Sequence, residues 1–295
     1  MSEGAGAALQ EFAPAKVNLT LEIPGRRADG YHEIVSLIAF ADVGDTLTLH
    51  PAETREVTLD VQGPFGKAID QDNLVLRAAR AFLESEPEVP GGHFVLDKRL
   101  PVAGGIGGGS ADAAAAVRLL ARANRCGPDW RARLLPALTR LGADIPVCIE
   151  SRAAWVRGIG EKVAPLSTMP ELPAVLINPG VPLPTGEVFA ALGAPLLDEA
   201  SNGIETPQGF GARAPLVSYL REHANDLEPP ARRLVPVIGD VLEAIAGTPG
   251  CLMGRLSGSG PTCYGLFGSR EEATRAARAL AADRPGWWIV PTRLT

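Results

Sequence analysis

The sequence is poor in the features that mark several classes of protein. Only four of its 295 residues are cysteines, and none forms a Cys-x-x-Cys pair or has a histidine at zinc-ligand spacing. We therefore expect thiols in a reducing compartment rather than a disulfide framework or a zinc site. No stretch reaches the roughly 18 apolar residues of a membrane span. The N-terminal segment also lacks the basic and apolar regions of a signal peptide. These absences predict a soluble, cytoplasmic protein with no membrane partner.

The sequence also lacks an excess of basic residues. Its formal net charge is −6, whereas proteins that bind nucleic acids usually carry a basic footprint. A nucleic-acid partner is therefore not expected. Hydrophobic residues make up 46% of the chain, which is ordinary for a globular protein. The length suits one large domain or two modest ones.

Periodicity and turn residues predict a mixture of strands and helices. The predicted helices span residues 72–83 (capped by Asp72 or Asn73), 110–124, 130–141, 216–223, 234–245 and 270–282. The predicted strands span residues 15–23, 42–50, 57–61, 94–98, 174–177 and 262–267, while 31–40 suits a strand or a helix. The elements do not alternate strictly, so the predicted fold class is α+β. A proline-rich connector at residues 165–173 predicts two domains, 1–168 and 169–295.

The strand predicted at residues 15–23 has a period of two. Val17, Leu19 and Leu21 alternate with Lys16 and Asn18, which is typical of a half-buried strand. This alternation places Lys16 and Asn18 on the same face.

A glycine-rich run precedes the helix predicted to begin at Ser110. Five of the six residues from Gly104 to Gly109 are glycines, and alanines follow. The spacing fits neither a Walker loop nor a dinucleotide fingerprint. It does fit a phosphate cradle, in which glycine N–H groups and a helix N-terminus face one anion. Ser110 suits the N-cap or a hydroxyl ligand to phosphate or metal, and Asp112 could interact with the helix dipole. The alternative is a turn that merely packs tightly.

Phosphoryl transfer needs a group that orients or deprotonates the attacking hydroxyl, and cations that hold developing charge. Asp144 and Lys16 would supply both if they lay near the cradle. Taken singly, a lysine at a strand start is more often solvated, and an aspartate after Gly-Ala is more often a turn residue.

Several separated segments together resemble one family. "PAKVNLTLEIPGRRADGYHEI" (residues 14–34), "DKRLPVAGGIGGGSADAAAAV" (97–117) and "RLSGSGPTCYGLF" (255–267) resemble the three motifs of the GHMP small-molecule kinases. "GADIPVCI" (142–149) and "NPGVPLPTGEVF" (178–189) extend the match. The ADGYH segment is most similar to the 4-diphosphocytidyl-2-C-methyl-D-erythritol kinases of non-mevalonate isoprenoid biosynthesis. The resemblance spans nearly the whole chain.

The resemblance implies a two-domain α+β architecture with the active site in the interdomain cleft. It implies transfer of the γ-phosphoryl group of ATP to the 2-hydroxyl of 4-diphosphocytidyl-2-C-methyl-D-erythritol. Asp144 would be the general base, and Lys16 would hold Asp144 and polarise the reacting groups. The implied nucleotide-binding residues are Asn73, Lys98, Pro101, Val102, Ala103, Gly104, Gly105, Ile106, Gly107, Gly108, Gly109, Ser110 and Ala111.

The resemblance also implies a site for the cytidylated substrate. Tyr31 and Phe189 would sandwich the cytosine and His32 would hydrogen-bond its edge, with Asn18 and Thr185 beside them. Read without the resemblance, Tyr31 and Phe189 are more often core aromatics, and His32 is more often a buried histidine with its hydrogen bonds satisfied. Mg²⁺ is expected with ATP, but the metal ligands are not assigned, because Ser110 is the loop's only hydroxyl and no glutamate stands out as a second ligand.

Two rival functions remain open at this point. One is a GHMP kinase for another small alcohol, such as homoserine or mevalonate, which would have no need for Tyr31, His32 and Phe189 together. The other is a catalytically silent nucleotide-binding protein on the same fold, against which Lys16 and Asp144 both argue. A monomer and a homodimer fit the sequence equally.

Overall fold

A computed structural model of the chain describes residues 7–70, 73–197 and 204–295. The chain divides into two compact units, which are described separately. Unit 1 contains the described residues of 7–15, 44–102 and 107–151. Unit 2 contains those of 16–43, 103–106 and 152–295. The domain boundary at residues 168/169 stays a prediction.

The strands are β1 (Leu9–Asn18), β2 (Glu22–Arg26), β3 (His32–Pro51), β4 (Val57–Gln62), β5 (Gly92–Asp97), β6 (Ala154–Gly158), β7 (Lys162–Pro165), β8 (Leu172–Asn178), β9 (Cys251–Leu256), β10 (Cys263–Phe267) and β11 (Trp288–Leu294). The α-helices are α1 (Leu74–Ser85), α2 (Gly108–Ala123), α3 (Trp130–Leu141), α4 (Ile145–Glu150), α5 (Thr185–Leu192), α6 (Arg213–Glu222), α7 (Glu228–Leu234), α8 (Val237–Ala246) and α9 (Arg270–Asp283), and a 3-10 helix spans Gly66–Ala68.

In unit 1, a small sheet carries a layer of helices. Strand β4 runs parallel to β5, and β5 runs antiparallel to the C-terminal part of β3, with Thr46 opposite Asp97. Helix α2 packs against α1 and α4. The side chains of residues 113–116 in α2 are alanines with 0% exposure. Because these alanine side chains are small, neighbouring helices can approach this part of α2 closely.

In unit 2, strands β9, β10, β8 and β11 form an antiparallel sheet in that order. Strand β11 also pairs with β3 at Leu294 and Ala41, and β3 pairs with β2 and β6. Helix α9 packs on β8 and β11, and α8 packs on β9 and β10. The apolar faces of these helices and strands form one core cluster that includes Val175, Ile177 and Phe267.

Many predicted elements are confirmed. Helix α3 has the predicted bounds, 130–141, and α9 matches its prediction within a residue. The side chain of Asn73 accepts hydrogen bonds from Val75 N and Leu76 N and so caps α1, as expected of an N-cap residue. Asp72, the other candidate cap, lies outside the described residues. Residues 31–40 fall almost entirely in strand β3.

Three predictions of local structure are wrong. Helix α2 begins at Gly108, because Gly107 ends the loop in the left-handed conformation (φ 63°) and takes the N-cap position. Ser110 is therefore the third helical residue and not the N-cap. The helix predicted over 234–245 is α8, which begins later, at Val237, because Pro236 takes its N-cap position and Leu234 ends the preceding helix α7. A proline inside one continuous helix would remove a backbone hydrogen bond and clash with the preceding turn.

The third error concerns the N-terminal strand. The predicted strand 15–23 is interrupted, since β1 ends at Asn18 and β2 begins at Glu22. Every residue from 13 to 21 is buried, so the strand is not half-exposed as its alternation predicted. The polar side chains in this stretch lie inside the protein because they hydrogen-bond to other buried groups, as described below.

Candidate active site

The glycine-rich loop takes backbone conformations that favour glycine. Gly105 and Gly107 have φ values of 74° and 63°, and Ala103 lies in the same left-handed region at 53°. Residues other than glycine adopt this backbone conformation only with strain. The backbone conformation of the loop therefore favours glycine at positions 105 and 107, whether or not a ligand binds there.

The first turn of α2 has backbone N–H groups that no side chain caps. Gly107 carries no side chain, so no side chain caps the helix, and its first turn contains no acidic residue. The first intrahelical bond is from Ala111 N to Gly107 O at 2.9 Å. The N–H groups of Gly108, Gly109 and Ser110 precede that bond, and such groups together with the helix dipole favour a phosphate.

Gly105 lies against the loop that follows β9. A Cβ atom on Gly105 would stand 2.6 Å from Ser257 O and 2.7 Å from Gly260 O. Ser257 Oγ donates a hydrogen bond to Gly105 O at 3.0 Å. Gly105 and the loop that follows β9 both belong to unit 2. The loop after β9 therefore supports the glycine-rich run at Gly105.

Lys98 lies in a fully buried cluster of charges beneath the first turn of α2. Its Nζ donates to Asp45 Oδ2 and to Asp112 Oδ2, both at 2.6 Å. Asp45 Oδ1 also accepts from the backbone N–H groups of Arg99 and Leu100. The side chains of Lys98 and Asp45 are 1% and 0% exposed. This cluster ties the end of β5 to β3 and α2.

The cluster contains one ammonium group and two carboxyl groups. Burial raises the pKa of Asp112 to about 7, against the attraction of Lys98. Burial also acts to lower the pKa of Lys98, but the carboxylates of Asp112 and Asp45 outweigh it and raise that pKa above its usual value. Asp112 Oδ1 is buried with no hydrogen-bond partner in the described residues. One ammonium therefore serves two carboxylates, and Asp112 holds its negative charge least firmly.

Lys16 and Asn18 share a second buried network, in unit 2. Their side chains lie on the same side of β1, as the alternation predicted, and Lys16 Nζ donates to Asn18 Oδ1 at 2.9 Å. Asn18 Nδ2 donates to Ser36 Oγ at 2.8 Å. The backbone N–H of Lys16 donates to Ile106 O at 2.8 Å. This last bond joins the main chain of Lys16 to the glycine-rich loop.

Asp144 lies in unit 1, immediately before the short helix α4. It is half-buried, and its side chain makes no helix-capping hydrogen bond. Gly142, two residues earlier, lies beside the start of α2, since a Cβ at Gly142 would be 3.7 Å from Ser110 Oγ. The turn that carries Asp144 is thus packed against the helix whose N-terminus suits a phosphate.

Aromatic rings meet at one end of β3 in unit 2. The rings of His32 and Phe189 lie 4.9 Å apart, tilted by 39°. Tyr31, next to them in the chain, is 60% exposed, which rules out the alternative that it is a core aromatic. Burial and the charge of Arg26 lower the pKa of His32. His32 is therefore neutral at pH 7 and carries one donor and one acceptor.

Thr185 is the first residue of α5, and its Oγ1 lies 2.8 Å from Ser259 Oγ. Ser259 belongs to the same loop that contacts Gly105 through Ser257. A single loop therefore contacts one residue predicted to bind substrate and one predicted to bind phosphate, all within unit 2.

Two predicted nucleotide-binding residues have other partners. The side chain of Asn73 caps α1, and its Nδ2 donates to Asp70 O. The ammonium of Lys98 is committed to Asp45 and Asp112. Contacts of Asn73 and Lys98 with the nucleotide stay predictions.

Sequence reasoning missed the polar partners that hold these groups. Asp45 and Ser36 lie on β3, far along the chain from Lys98 and Asn18, and both are completely buried. Ser36 interrupts the apolar run "IVSLIAF", which was the one available signal. An isolated hydroxyl in a buried strand requires a partner.

No group of three or more His, Cys, Asp or Glu side chains within residues 7–70, 73–197 and 204–295 is arranged to hold a metal. In the same part of the chain, no helix combines the length and apolar character needed to cross a bilayer. The four cysteines are thiols.

Two family models match the chain. One, described as the GHMP kinases N terminal domain, matches residues 73–152, which include the glycine-rich loop and Asp144. The other, described as GHMP kinases C terminal, matches residues 213–285. A homoserine kinase structure from Cytophaga hutchinsonii has a similar fold, with a TM-score of 0.69 at 19% identity. The fold and the loop thus define a GHMP kinase, an ATP-dependent enzyme that phosphorylates small molecules.

More similar proteins narrow this class. The 4-diphosphocytidyl-2-C-methyl-D-erythritol kinase of Rhodopseudomonas palustris is 48% identical over 98% of this chain and 98% of its own length. That of a Bradyrhizobium species is 49% identical over 96% of both chains. A crystal structure of 4-(cytidine 5'-diphospho)-2C-methyl-D-erythritol kinase covers 97% of this chain and 99% of its own, with 34% identity and a TM-score of 0.77. The chain belongs to the family of 4-diphosphocytidyl-2-C-methyl-D-erythritol kinases.

Proposed function

We propose that this chain transfers the γ-phosphoryl group of ATP to the 2-hydroxyl of 4-diphosphocytidyl-2-C-methyl-D-erythritol, giving the 2-phosphate and ADP. The reaction belongs to the non-mevalonate route to isoprenoid precursors. The names of the full-length relatives support it. The observation that carries it is the exposed ring of Tyr31, which directly precedes His32 in the chain, together with the paired rings of His32 and Phe189. We expect a cytoplasmic enzyme that works on this small molecule as a monomer or homodimer.

The aromatic group supplies what recognition of a cytosine requires. Tyr31 and Phe189 offer ring faces for stacking, which is worth about 1–3 kcal/mol per base. Neutral His32 can donate to or accept from the polar edge of the base. Because burial and the charge of Arg26 lower its pKa, His32 stays neutral at lower pH than a free imidazole does, which keeps this contact intact at neutral pH. A kinase for homoserine or mevalonate would have no base to place here.

The phosphates of ATP would bind at the glycine-rich loop and the first turn of α2. The uncapped N–H groups of residues 108–110 and the absence of an acidic residue in that turn fit an anion. ATP supplies the phosphoryl group. Mg²⁺ usually keeps several waters and uses one or two protein oxygens with the phosphates. Ser110 is the hydroxyl of the loop that fits this limited role.

Asp144 and Lys16 would carry the chemical step. Asp144 would accept the proton of the 2-hydroxyl as that oxygen attacks, which raises its nucleophilicity. Lys16, held by Asn18, would stabilise negative charge as it develops on the transferring group. Asn18 would line the same site, and Thr185 would lie beside the base. Catalysis would come mainly from positioning and electrostatics.

A substrate panel tests the proposed reaction. The purified protein, ATP and Mg²⁺ are mixed in turn with the cytidylated methylerythritol, homoserine and mevalonate, and ADP release is measured. We expect ADP release with the first alcohol alone and none with Asp144→Asn. Turnover of another alcohol at a higher kcat/KM would reject the substrate, and near-normal turnover by Asp144→Asn would reject the base.

Removal of one ring tests the base site separately. Phe189→Ala should raise KM for the cytidylated substrate by about 10-fold to 100-fold while leaving KM for ATP within about 2-fold. Phe210→Ala is a matched control, because Phe210 is another ring of unit 2 that packs on Tyr219 and not on His32. An equal rise of KM for the cytidylated substrate in both variants would contradict the assignment.

A further inference from the structure

A serine on β3 is buried in an apolar segment and bonded to the amide of Asn18. Ser36 is 0% exposed, and its neighbours Val35 and Leu37 are buried apolar residues. Its Oγ contacts two groups, Thr20 O at 2.6 Å and Asn18 Nδ2 at 2.8 Å. All of these residues belong to unit 2.

The single proton of the Ser36 hydroxyl sets the direction of both bonds. A carbonyl oxygen can only accept, so the proton is donated to Thr20 O. Ser36 Oγ must then accept in its contact with Asn18, which requires the NH₂ side of the amide to face it. The oxygen and nitrogen of an asparagine amide are otherwise nearly indistinguishable in shape. Ser36 therefore determines which way the Asn18 amide points.

The direction of this amide decides what Lys16 meets. With its NH₂ on Ser36, the amide presents Oδ1 to Lys16 Nζ, which donates to it at 2.9 Å. A flipped amide would set two donors against each other at Lys16 and two acceptors against each other at Ser36. Burial makes such mismatches expensive because water cannot satisfy the groups.

Two further bonds prevent the network from rotating as a whole. Asn18 N donates to Ser257 Oγ at 3.1 Å, which fixes the backbone that carries the amide. Thr20 Oγ1 accepts from Leu37 N at 3.0 Å, which fixes the residue that receives the Ser36 proton. The orientation of the amide is thus set by groups that lie outside it.

The geometry points to Ser36 as a positioning residue for phosphoryl transfer. It touches no reacting atom. It orients the amide of Asn18, and the amide holds the ammonium of Lys16 where charge develops. This inference rests on the proposed function, because it assigns the effect of Ser36 to Lys16 in that reaction.

Steady-state kinetics of Ser36→Ala and Ser36→Thr test this role. Among the described residues, Ser36 Oγ is the acceptor for Asn18 Nδ2, and the alanine variant loses it, so kcat should fall about 10-fold with KM for both substrates within about 3-fold. The threonine variant keeps the hydroxyl and should recover most of kcat. The inference would be overturned if Ser36→Ala raised KM and left kcat unchanged. It would also be overturned if Ser36→Thr were folded and did not recover kcat.

A double-mutant cycle separates positioning from simple structural support. If Ser36 acts through Asn18, Ser36→Ala should lower kcat less than about 2-fold in an Asn18→Ala background. Multiplicative effects of the two changes would overturn the inference. If Ser36→Ala does not fold, Ser36→Cys takes its place, since a thiol is only a weak donor and acceptor.

A matched control removes another buried strand hydroxyl of unit 2. Thr292 lies on β11, and its Oγ1 donates to Asp42, away from Asn18 and Lys16. Thr292→Val should leave kcat within about 2-fold even where its melting temperature falls as much as that of Ser36→Ala. A loss of kcat equal to that of Ser36→Ala would mean that lowered stability explains both. Wild-type turnover of the cytidylated alcohol tests the proposed function by itself, whereas the ratios between variants test Ser36.

Discussion

The two units each bury a lysine, and the hydrogen bonds described above for the two ammonium groups involve different kinds of side chain. Lys98 in unit 1 is 1% exposed and donates to two carboxylates, Asp45 and Asp112. Lys16 in unit 2 is 3% exposed and donates to the neutral amide of Asn18. A carboxylate cancels the charge it contacts, whereas an amide oxygen orients an ammonium without cancelling its charge.

This difference separates two uses of a buried charge. The carboxylates around Lys98 compensate for its removal from water, and the cluster links β3, β5 and α2 beneath the glycine-rich loop. Its contribution is therefore to the structure of unit 1. The Asn18 contact orients the Lys16 ammonium, and the Lys16 main chain is bonded to Ile106 of the glycine-rich run, a position from which its charge can act on a bound phosphate. Substitution of Lys98 should therefore lower the free energy of unfolding, whereas substitution of Lys16 should lower kcat.

Lys98→Met should have the largest effect on stability. Methionine fills a similar volume but leaves Asp45 and Asp112 facing each other without a cation. Breaking a buried ion pair in this way costs about 3–5 kcal/mol in the free energy of unfolding, measured by urea denaturation. Lys67→Met, at an exposed lysine of unit 1, should change it by less than about 0.5 kcal/mol. Similar values for the two variants would mean that the cluster stabilises nothing.

Lys16→Met should instead lower kcat. The loss of one preorganised charge at the developing oxyanion typically reduces kcat by 100-fold to 1,000-fold, or about 2.7–4 kcal/mol. The deficit should persist at temperatures where circular dichroism shows the variant fully folded. Lys162→Met, at an exposed lysine of unit 2, is the control and should keep normal turnover. Normal kcat in folded Lys16→Met would contradict the assigned role and remove the contrast with Lys98.

Asp112→Asn should change how stability depends on pH. The pKa of Asp112 is raised to about 7 from an unfolded value near 3.9, so between these values the folded protein binds the extra proton. Its contribution to stability is therefore greatest at low pH and declines as pH rises toward 7, with a slope of at most about 1.4 kcal/mol per pH unit.

Urea denaturation of wild type and Asp112→Asn at pH 5, 6, 7 and 8 measures this contribution. The variant should gain stability relative to wild type as pH increases over this range. Asp129→Asn, at an exposed carboxylate of the same unit, is the matched control. A constant difference between wild type and Asp112→Asn would mean that the Asp112 carboxyl does not titrate in this range.

The sequence predicted best where the signal is local. Periodicity and turn residues predicted helix α3 with its bounds, and residue type alone limited the cap of α1 to Asp72 or Asn73, of which Asn73 is the cap. The Lys16–Asn18 pair is two residues apart, so alternation was enough to place both side chains on one face. Such features depend on a few neighbouring residues.

The sequence predicted poorly where partners are distant. Lys98 and Asp45 are 53 residues apart, and no pattern pairs them. The start of α2 was predicted two residues late, because the left-handed Gly107 replaced the serine as N-cap. The role of Ser36 depends on a proton direction that only the positions of Thr20 and Asn18 define. These features arise from tertiary structure, which local periodicity does not contain.

The smallest expected effect concerns a single hydroxyl at the edge of the unit 2 network. Ser257 Oγ accepts from Asn18 N and donates to Gly105 O, so Ser257→Ala should raise KM for ATP about 3-fold to 10-fold. Ser259→Ala removes the neighbouring hydroxyl, whose partner is Thr185. It should raise KM for the cytidylated substrate instead. If both variants changed the same KM, the loop would act as one rigid support, and its two hydroxyls would not have the separate roles that their partners indicate.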